Sequence, residues 1–462
     1  MTLHLRYRAQ FPSAHQIQAD PESMKSICID GFNIALSQGS GIATYGRNLL
    51  ENVRSVGMGT QVLYGPKSPK RRNQVLSEAM LVDAERPATK LSRKEKSVRM
   101  RRTLLSRFGR TADPIQPSGE VIWPSRSGGR PSADYFWSSQ EIFFHSIRCF
   151  QTYKAVTPLR FQHNKSSPTP DVMHWTTPLP LHAKGVPNIY TFHDLIPIRL
   201  PHATLDDKSV FMSLCQEVVK RADHIAVVSE ATRQDVIRIL GVPEDRVTNT
   251  YQAVKIPDHL ATRSQEEVAT ELEGVFGLEW KQYFLHFGAV EPKKNLGRIV
   301  ESYLSSGVST PLILIGGRAW LDEPETALLR QIKADGGPNA ARIRQYEYMP
   351  FSMLISLIRG AKATLFPSLF EGFGLPVLES MALSTAVLTS TGGSLPEVAG
   401  KAAIIVDPYD VQAMTRGIQA LDADRDLRTE LERAGLLQAA QFSPQAYQAR
   451  LSDLYSKVGV TT

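Results

Sequence analysis

The sequence has little cysteine, no long apolar run and no excess of acidic residues. Its three cysteines, Cys28, Cys149 and Cys215, are widely spaced and form no Cys-x-x-Cys pair, which argues against a disulfide framework and a zinc finger. No run of about 18 apolar residues occurs, and residues 1–25 contain no apolar stretch of signal-peptide length. We therefore expect a cytoplasmic chain that contacts a membrane, if at all, as a peripheral protein on its inner face.

The charge of the chain is concentrated in one segment. The 462 residues include 53 basic and 46 acidic ones, a formal net charge of +7. Fourteen of the basic residues and four of the acidic ones fall within residues 66–112, so the rest of the chain is slightly acidic. At 42% hydrophobic residues the composition excludes a wholly disordered protein, and the length suffices for two large α/β domains.

The first 134 residues predict a disordered start, one βαβ opening and an insertion. Residues 1–23 are polar and without periodicity, so we expect them to be disordered. A short apolar strand over 26–30 then leads through a loop with Gly39 and Gly41 into a helical pattern. We interpret residues 66–134 as a basic insertion followed by a linker rich in Pro, Gly and Ser.

Two successive series of short apolar strands and helices follow. This alternation predicts an α/β fold with two Rossmann-like domains, over 24–257 and 275–443, and a C-terminal helix within 444–462 that packs back on the first domain. Because such sheets bind ligands at the carboxyl ends of their strands, we expect the site in the cleft that the two domains face.

The most informative string runs from Phe366 to Ala382. A strand is followed by Glu371, Gly372 and Gly374 in a loop, and Pro376 is suited to the first turn of a helix that contains Glu379. Glycines let backbone N–H groups approach a ligand, and a helix N-terminus favours anions, so the string suits a diphosphate. The two carboxylates suit the hydroxyls of a ribose or another sugar. Taken alone, each glutamate would more often be structural or exposed.

The same string resembles the signature of the retaining, nucleotide-sugar-dependent glycosyltransferases of family 4, which have the GT-B fold. Residues 192–197, 288–296 and 391–400 are also similar to motifs of that family, and the resemblance covers most of 26–64 and 171–458. It implies that 24–257 is an acceptor domain and 275–443 a nucleotide-sugar donor domain. The basic segment lies outside the resemblance.

The resemblance implies roles for individual residues. Glu371 would hold hydroxyls of the donor sugar and Glu379 the ribose, while the backbone at Phe373, Gly374 and Leu375 would meet the sugar and the diphosphate.

Three further elements complete the implied site. Lys294, with Lys293 beside it, would bind the departing diphosphate without a metal, and we expect no cofactor. His193 would reach the reacting sugar or acceptor from the first domain, and the loop with Gly39 and Gly41 would face the cleft. The sequence Asp422-Ala423-Asp424 imitates a metal-binding Asp-x-Asp motif, but we interpret it as a solvated helix face.

The resemblance thus implies an enzyme that transfers a hexose from a nucleotide diphosphate sugar to a saccharide acceptor with retention of configuration. Mannose from GDP-mannose is our first hypothesis for the donor, and a lipid-linked bacterial polysaccharide for the acceptor. The alternative is a non-catalytic protein of the same fold that binds a nucleotide sugar or a glycan and regulates a partner. Nucleic acid is not expected as a partner, because residues 66–112 contain a single aromatic residue, Phe108.

Residues 91–110 form a basic, imperfectly amphipathic helical pattern. It predicts either a helix that lies on an anionic membrane surface or a solvated, partly disordered insertion.

Overall fold

The computed structural model describes residues 24–34, 41–67, 73–83, 92–123, 130–162, 167–317 and 323–461. The predicted disorder of residues 1–23 and the predicted ligand loop at Gly39 therefore lie outside the described residues. Within the described ranges two sheets with flanking helices follow one another along the chain, which confirms the predicted α/β fold.

The first sheet has ten strands in the order β10-β9-β8-β6-β1-β2-β4-β3-β5-β7. Its neighbouring strands are parallel except for the antiparallel pair β3 and β4. The strands are β1 (Ser26–Asp30), β2 (Gly59–Tyr64), β3 (Arg110–Ile115), β4 (Tyr135–Ser138), β5 (Thr157–Phe161), β6 (Val172–Trp175), β7 (Leu181–Ala183), β8 (Asn188–Phe192), β9 (His224–Val227) and β10 (Val247–Asn249). The helices of this half are α1 (Gly41–Ser55), α2 (Gln74–Val82), α3 (Arg93–Ser106), α4 (Ile142–Tyr153), α5 (Ile196–Arg199), α6 (Lys208–Arg221), α7 (Glu230–Leu240) and α8 (Asp258–Ala261).

The second sheet has six parallel strands in the order β13-β12-β11-β14-β15-β16. The strands are β11 (Phe284–Phe287), β12 (Leu312–Ile315), β13 (Ile343–Tyr346), β14 (Ala363–Phe366), β15 (Ala386–Ser390) and β16 (Ile404–Val406). The helices are α9 (Gln265–Phe276), α10 (Leu296–Ser306), α11 (Glu323–Asp335), α12 (Gly337–Arg342), α13 (Phe351–Gly360), α14 (Leu375–Ala382), α15 (Leu395–Ala399), α16 (Val411–Ala423), α17 (Arg425–Ala440) and α18 (Pro444–Ser456).

The central strands of both sheets are buried along their whole length. Every residue of β1, β8, β11 and β14 is buried, as expected of parallel strands that helices cover on both faces. One apolar cluster extends across both halves of the chain, because Val228 and Ala253 of the first half belong to the same cluster as Phe373 and Leu395 of the second. The two halves therefore share part of their core.

The structure differs from the interpretation of residues 66–134 as an insertion with a linker. Strand β3 lies inside the first sheet, where Asp113 pairs with Ser138 of β4 and Arg110 with Leu159 of β5. Trp123 is buried, and its indole N–H donates to Glu78 Oε1 at 2.9 Å. The Pro- and Gly-rich composition hid a strand that gains its stability from neighbours distant in sequence.

The last helix, α18, returns to the first half of the chain. Tyr455 OH lies 2.9 Å from His174 Nδ1 at the end of β6, and Gln448 donates to Asn52 of α1 at 2.9 Å. This is the packing that the sequence predicts for 444–462.

Candidate active site in the cleft

The predicted site residues from both halves follow strand ends that meet at one place. His193 follows β8, Lys293 and Lys294 follow β11, and Glu371 follows β14. Gly372 touches the first half so closely that a Cβ atom there would lie 2.2 Å from the carbonyl oxygen of His193. Glycine at 372 is therefore required for the two loops to approach one another.

A buried ion pair lies at the centre of the site. Lys294 Nζ donates to Glu371 Oε1 at 2.6 Å, and the two residues are 9% and 7% exposed. The ammonium group also lies 4.6 Å from the centre of the Phe366 ring. Since an ammonium group has three N–H bonds, the pair with Glu371 leaves others for a ligand.

The charges around Glu371 favour its ionised form. Burial raises the pKa of Glu371, but Lys294 and Lys293 outweigh burial and hold that pKa below its usual range. Burial lowers the pKa of Lys293, whereas Glu371, Glu291 and Asp194 raise it, with a net rise. Two ammonium groups thus share three carboxylates in one cluster.

Although the sequence places Glu371 in the cleft, its side chain does not face open solvent. Its carboxylate is almost fully buried because Lys294 reaches it from the neighbouring strand end and excludes water. Substitution at Glu371 will therefore affect folding as well as function.

The loop before α14 presents backbone N–H groups. Gly374 is the N-cap with φ 97°, and among the described residues no acceptor contacts the N–H groups of Phe373, Gly374 and Leu375. The Phe373 ring packs in the core, 6.4 Å from the ring of Tyr251 and 5.7 Å from that of Phe442. This segment thus retains N–H donors without a partner in the described part of the chain, whereas its aromatic side chain packs in the core.

Glu379 lies one turn into α14 and is half-buried. Burial raises the pKa of Glu379 to about 7, although Lys294 opposes the rise. No side chain or backbone group of the described residues donates to its carboxyl group. At neutral pH this group can therefore either donate to or accept from a hydroxyl group.

His193 is held in one neutral tautomer. Its Nε2 lies 2.8 Å from the carbonyl oxygen of Thr176, which can only accept, so Nε2 carries the proton and Nδ1 is an acceptor. Burial lowers the pKa of His193 to about 4, although the hydrogen bond to Thr176 opposes this. The imidazole is consequently uncharged at neutral pH, with Nδ1 free of partners among the described residues.

The sequence did not indicate the residues that hold His193 in place, Thr176 and Asp30. The fully buried Asp30, at the end of β1, accepts hydrogen bonds from the backbone N–H of Thr176 and, at 3.1 Å, from its hydroxyl. Burial raises the pKa of Asp30 to about 6, against the effect of those hydrogen bonds. An acidic residue at the carboxyl end of a buried strand is the signal that would have indicated it.

A second carboxylate that sequence reasoning did not assign joins the two halves. Glu397 of α15 accepts from the backbone N–H groups of Glu230 and Ala231, each at 2.9 Å, in the first turn of α7. Tyr251, which has a left-handed φ of 56°, lies near this carboxylate, and burial together with the negative charge of Glu397 raises the pKa of Tyr251. We call Glu397 and these partners the Glu397 clasp.

The remaining predicted residues lie as follows. Gly41 is the exposed first residue of α1. Asp422 is not simply solvated, because it accepts from Lys362 Nζ at 2.8 Å and from Thr310 Oγ1. Among the described residues no group of His, Cys, Asp or Glu has the arrangement of a metal site, and the three cysteines are free and buried.

Comparison with known proteins bears on both halves. The family model described as "Glycosyl transferases group 1" matches residues 271–438, and the "Glycosyltransferase Family 4" model matches residues 121–255. The chain therefore belongs to the glycosyltransferases that these two models describe. The predicted family and the predicted class of enzyme are thereby confirmed at the family level.

Curated relatives include two Escherichia coli proteins. The chain is 34% identical to the O-antigen chain mannosyltransferase B over 55% of its own length and 66% of the relative's. It is 30% identical to the serotype-specific mannosyltransferase WbdA over 54% of its own length and 31% of the relative's. The chain thus matches about two thirds of the first relative and about a third of the second.

Solved structures share the fold at low sequence identity. Sucrose-phosphate synthase from Thermosynechococcus elongatus superposes with a TM-score of 0.63 at 15% identity, over 94% of this chain and 99% of that one. Anabaena HepE in complex with UDP and glucose gives 0.61 at 12% identity, over 94% and 99%. These neighbours confirm the GT-B fold.

Proposed function

We propose that the protein transfers mannose from GDP-mannose to a saccharide acceptor, with retention of configuration and without a metal ion. The observation that carries this proposal is the buried pair of Lys294 and Glu371 beside the unbonded backbone N–H groups that precede α14. Both Escherichia coli relatives are mannosyltransferases, which supports mannose as the sugar.

The groups of the site divide the donor between them. In this proposal Lys294 and Lys293 bind the diphosphate and offset the negative charge that develops as the glycosidic bond breaks. Glu371 accepts hydrogen bonds from hydroxyls of the sugar, and Glu379 shares a hydrogen bond with the ribose. As the acceptor oxygen bonds to the sugar, the electron pair of the broken bond stays with the departing nucleoside diphosphate, and a phosphate oxygen of this leaving group takes the proton of the acceptor hydroxyl.

His193 supplies an acceptor from the opposite half. With a pKa of about 4 it is a poor base at neutral pH, so Nδ1 orients a sugar hydroxyl and does not remove its proton. Asp30 positions this imidazole through Thr176.

The acceptor in this proposal is lipid-linked, and α3 carries the contact with the membrane. Arg99 fixes α3 to α4, because it donates to Glu141 at 2.7 Å and lies over the Phe144 ring at 3.6 Å. The apolar side chains Met100 and Phe108 are 71% and 65% exposed. Within the described ranges no helix is both long and apolar enough to cross a bilayer.

Release of free nucleotide across a panel of nucleotide sugars tests this function. We expect release from GDP-mannose in the presence of acceptor and excess EDTA, and the same anomeric configuration in donor and product by NMR. Release that requires added manganese or magnesium would overturn the metal-free mechanism. Binding without turnover for every donor would favour the non-catalytic alternative.

A further inference from the structure

A polar cavity lies at the end of α3, away from the site described above. It has a volume of about 420 Å³, and its lining includes Arg110, Thr111, Asp113, Ser138, Ser139 and Arg160. We propose that this cavity binds a phosphate group of a lipid-linked acceptor. The identity of the ligand as an acceptor rests on the proposed function, whereas the phosphate site itself does not.

The hydroxyl of Ser139 indicates a missing partner. Ser139 is 3% exposed, and its Oγ atom has no hydrogen-bond partner among the described residues. A buried hydroxyl without a partner costs about 1–3 kcal/mol, so native proteins rarely retain one. A phosphate oxygen in the cavity would satisfy it.

Two guanidinium groups provide positive charge. Arg110 is half-buried and donates to the carbonyl oxygen of Gln140 at 2.7 Å, which leaves other N–H bonds for a ligand. Arg160 is exposed and lies opposite Thr111 in the register of β3 and β5. Neither arginine forms an ion pair with a carboxylate in the part of the chain that the structure describes.

The negative charge of Asp113 reduces the positive charge of the two arginines but does not cancel it. Asp113 also lines the cavity, so two arginines and one carboxylate leave a net charge of +1. Arg102 adds to the positive potential, because together with burial it lowers the pKa of Arg110. Burial is the larger cause of that shift, and Glu141 opposes it.

The start of α4 adds a further attraction for anions. This helix of 12 residues follows Ser139 and Gln140, and its N-cap residue, Glu141, makes no side-chain capping hydrogen bond. The N-terminus of a helix carries about half a positive charge, which favours phosphate oxygens. The carboxylate of Glu141 lies at this terminus, paired with Arg99, and no residue of the first turn of α4 lines the cavity. The Ser139 hydroxyl and the two arginines therefore carry the proposal.

The position of the cavity suits an extended acceptor. Ser138 ends β4 at the same edge of the sheet at which His193 follows β8. Four strand spacings separate β8 from β4, a distance of about 19 Å. Phe108, exposed at the end of α3, also lines the cavity, so a phosphate held there would have an apolar neighbour for its lipid.

Titration of the full-length protein with inorganic diphosphate, after the donor site has been filled with GDP, tests the proposal. We expect binding at one remaining site, weakened at least about fivefold by Arg160→Ala and by Ser139→Ala. Arg425→Ala, an exposed arginine of α17, is the matched control and should bind as wild type does. Because Ser139→Ala removes an unpaired buried hydroxyl, it should not lower the free energy of unfolding.

Vesicle binding distinguishes the two sources of phosphate. If Ser139→Ala weakens diphosphate binding and leaves the affinity for phosphatidylglycerol vesicles unchanged, the cavity takes the phosphate group of the acceptor. Loss of both would assign the cavity to a lipid headgroup and overturn the acceptor assignment. Absence of diphosphate binding, or equal affinity in both variants and wild type, would overturn the site even if mannose transfer is observed.

Discussion

The protein carries charge in two contrasting ways. In the cleft, Lys294 and Glu371 are buried, and with the half-buried Lys293 they share their charges within one cluster. On α3 and directly after it, Arg101 and Arg107 are exposed, and neither forms an ion pair within the described ranges. Burial makes each charge dependent on a particular partner, whereas water and salt screen the exposed charges and make them interchangeable.

The largest effect should follow from Glu371→Ala. This substitution leaves Lys294 buried without a counter-charge, so we expect a loss of about 3–5 kcal/mol in the free energy of unfolding. Turnover should fall at least about tenfold, because the hydroxyls of the donor sugar lose the carboxylate that accepts their hydrogen bonds. Chemical denaturation and nucleotide release measure the two effects.

The double variant Glu371→Leu with Lys294→Met separates stability from function. Replacing both charges with apolar side chains of similar size should restore most of the stability and none of the activity. Wild-type turnover in Glu371→Ala, or unchanged stability, would show that the cleft does not differ from the surface in this way.

Glu379→Gln should change how stability depends on pH. A carboxyl group with a pKa of about 7 when folded and an ordinary value when unfolded stabilises the protein less as pH rises from about 4.5 to 7. The free energy of unfolding of the variant should therefore be higher than that of the wild type by up to about 3 kcal/mol at pH 8, and the two should differ little below pH 5. Thermal or urea unfolding across this range checks it, and a constant difference would contradict the raised pKa.

Disruption of the Glu397 clasp should have a moderate effect. Glu397→Ala removes two hydrogen bonds to the first turn of α7. These bonds stabilise the contact between the two halves by about 1–3 kcal/mol. We expect a higher KM for the donor and a larger radius of gyration by small-angle X-ray scattering. Glu430 of α17 is exposed, so Glu430→Gln is the control. If Glu397→Ala and this control scatter identically, the Glu397 clasp does not hold the two halves together.

The smallest effect on stability should come from α3. Replacing Met100 and Phe108 with serine should change the free energy of unfolding by less than about 0.5 kcal/mol for each residue, because both are exposed. Sedimentation with anionic vesicles at low salt should nevertheless decrease. If the variant and wild type bind vesicles equally well, α3 does not contact the membrane.

The site residues of the second half of the chain could be predicted from the sequence more fully than those of the first half. Glu371, Gly374 and Glu379 lie in one contiguous string and Lys294 in another, so short motifs indicate each of them as a site residue. By contrast, Asp30 reaches His193 through Thr176, and these residues follow three strands that are distant along the chain. Motifs cannot show such a contact, because strand order creates it.

Partners distant in sequence also explain the other differences. The sequence indicated that Glu371 is a site residue but not that it is buried, because its burial depends on Lys294, 77 positions away. Strand β3 was hidden for the same reason, since its neighbours β4 and β5 determine that Arg110–Ile115 is extended.

The most direct test of the central claim is the affinity of Lys294→Ala for GDP and for guanosine, measured by calorimetry beside the wild type. If the buried Lys294 binds the diphosphate, the variant should lose at least about tenfold in affinity for GDP and retain its affinity for guanosine. Equal losses for both ligands, in a variant whose circular dichroism matches that of the wild type, would contradict the claim.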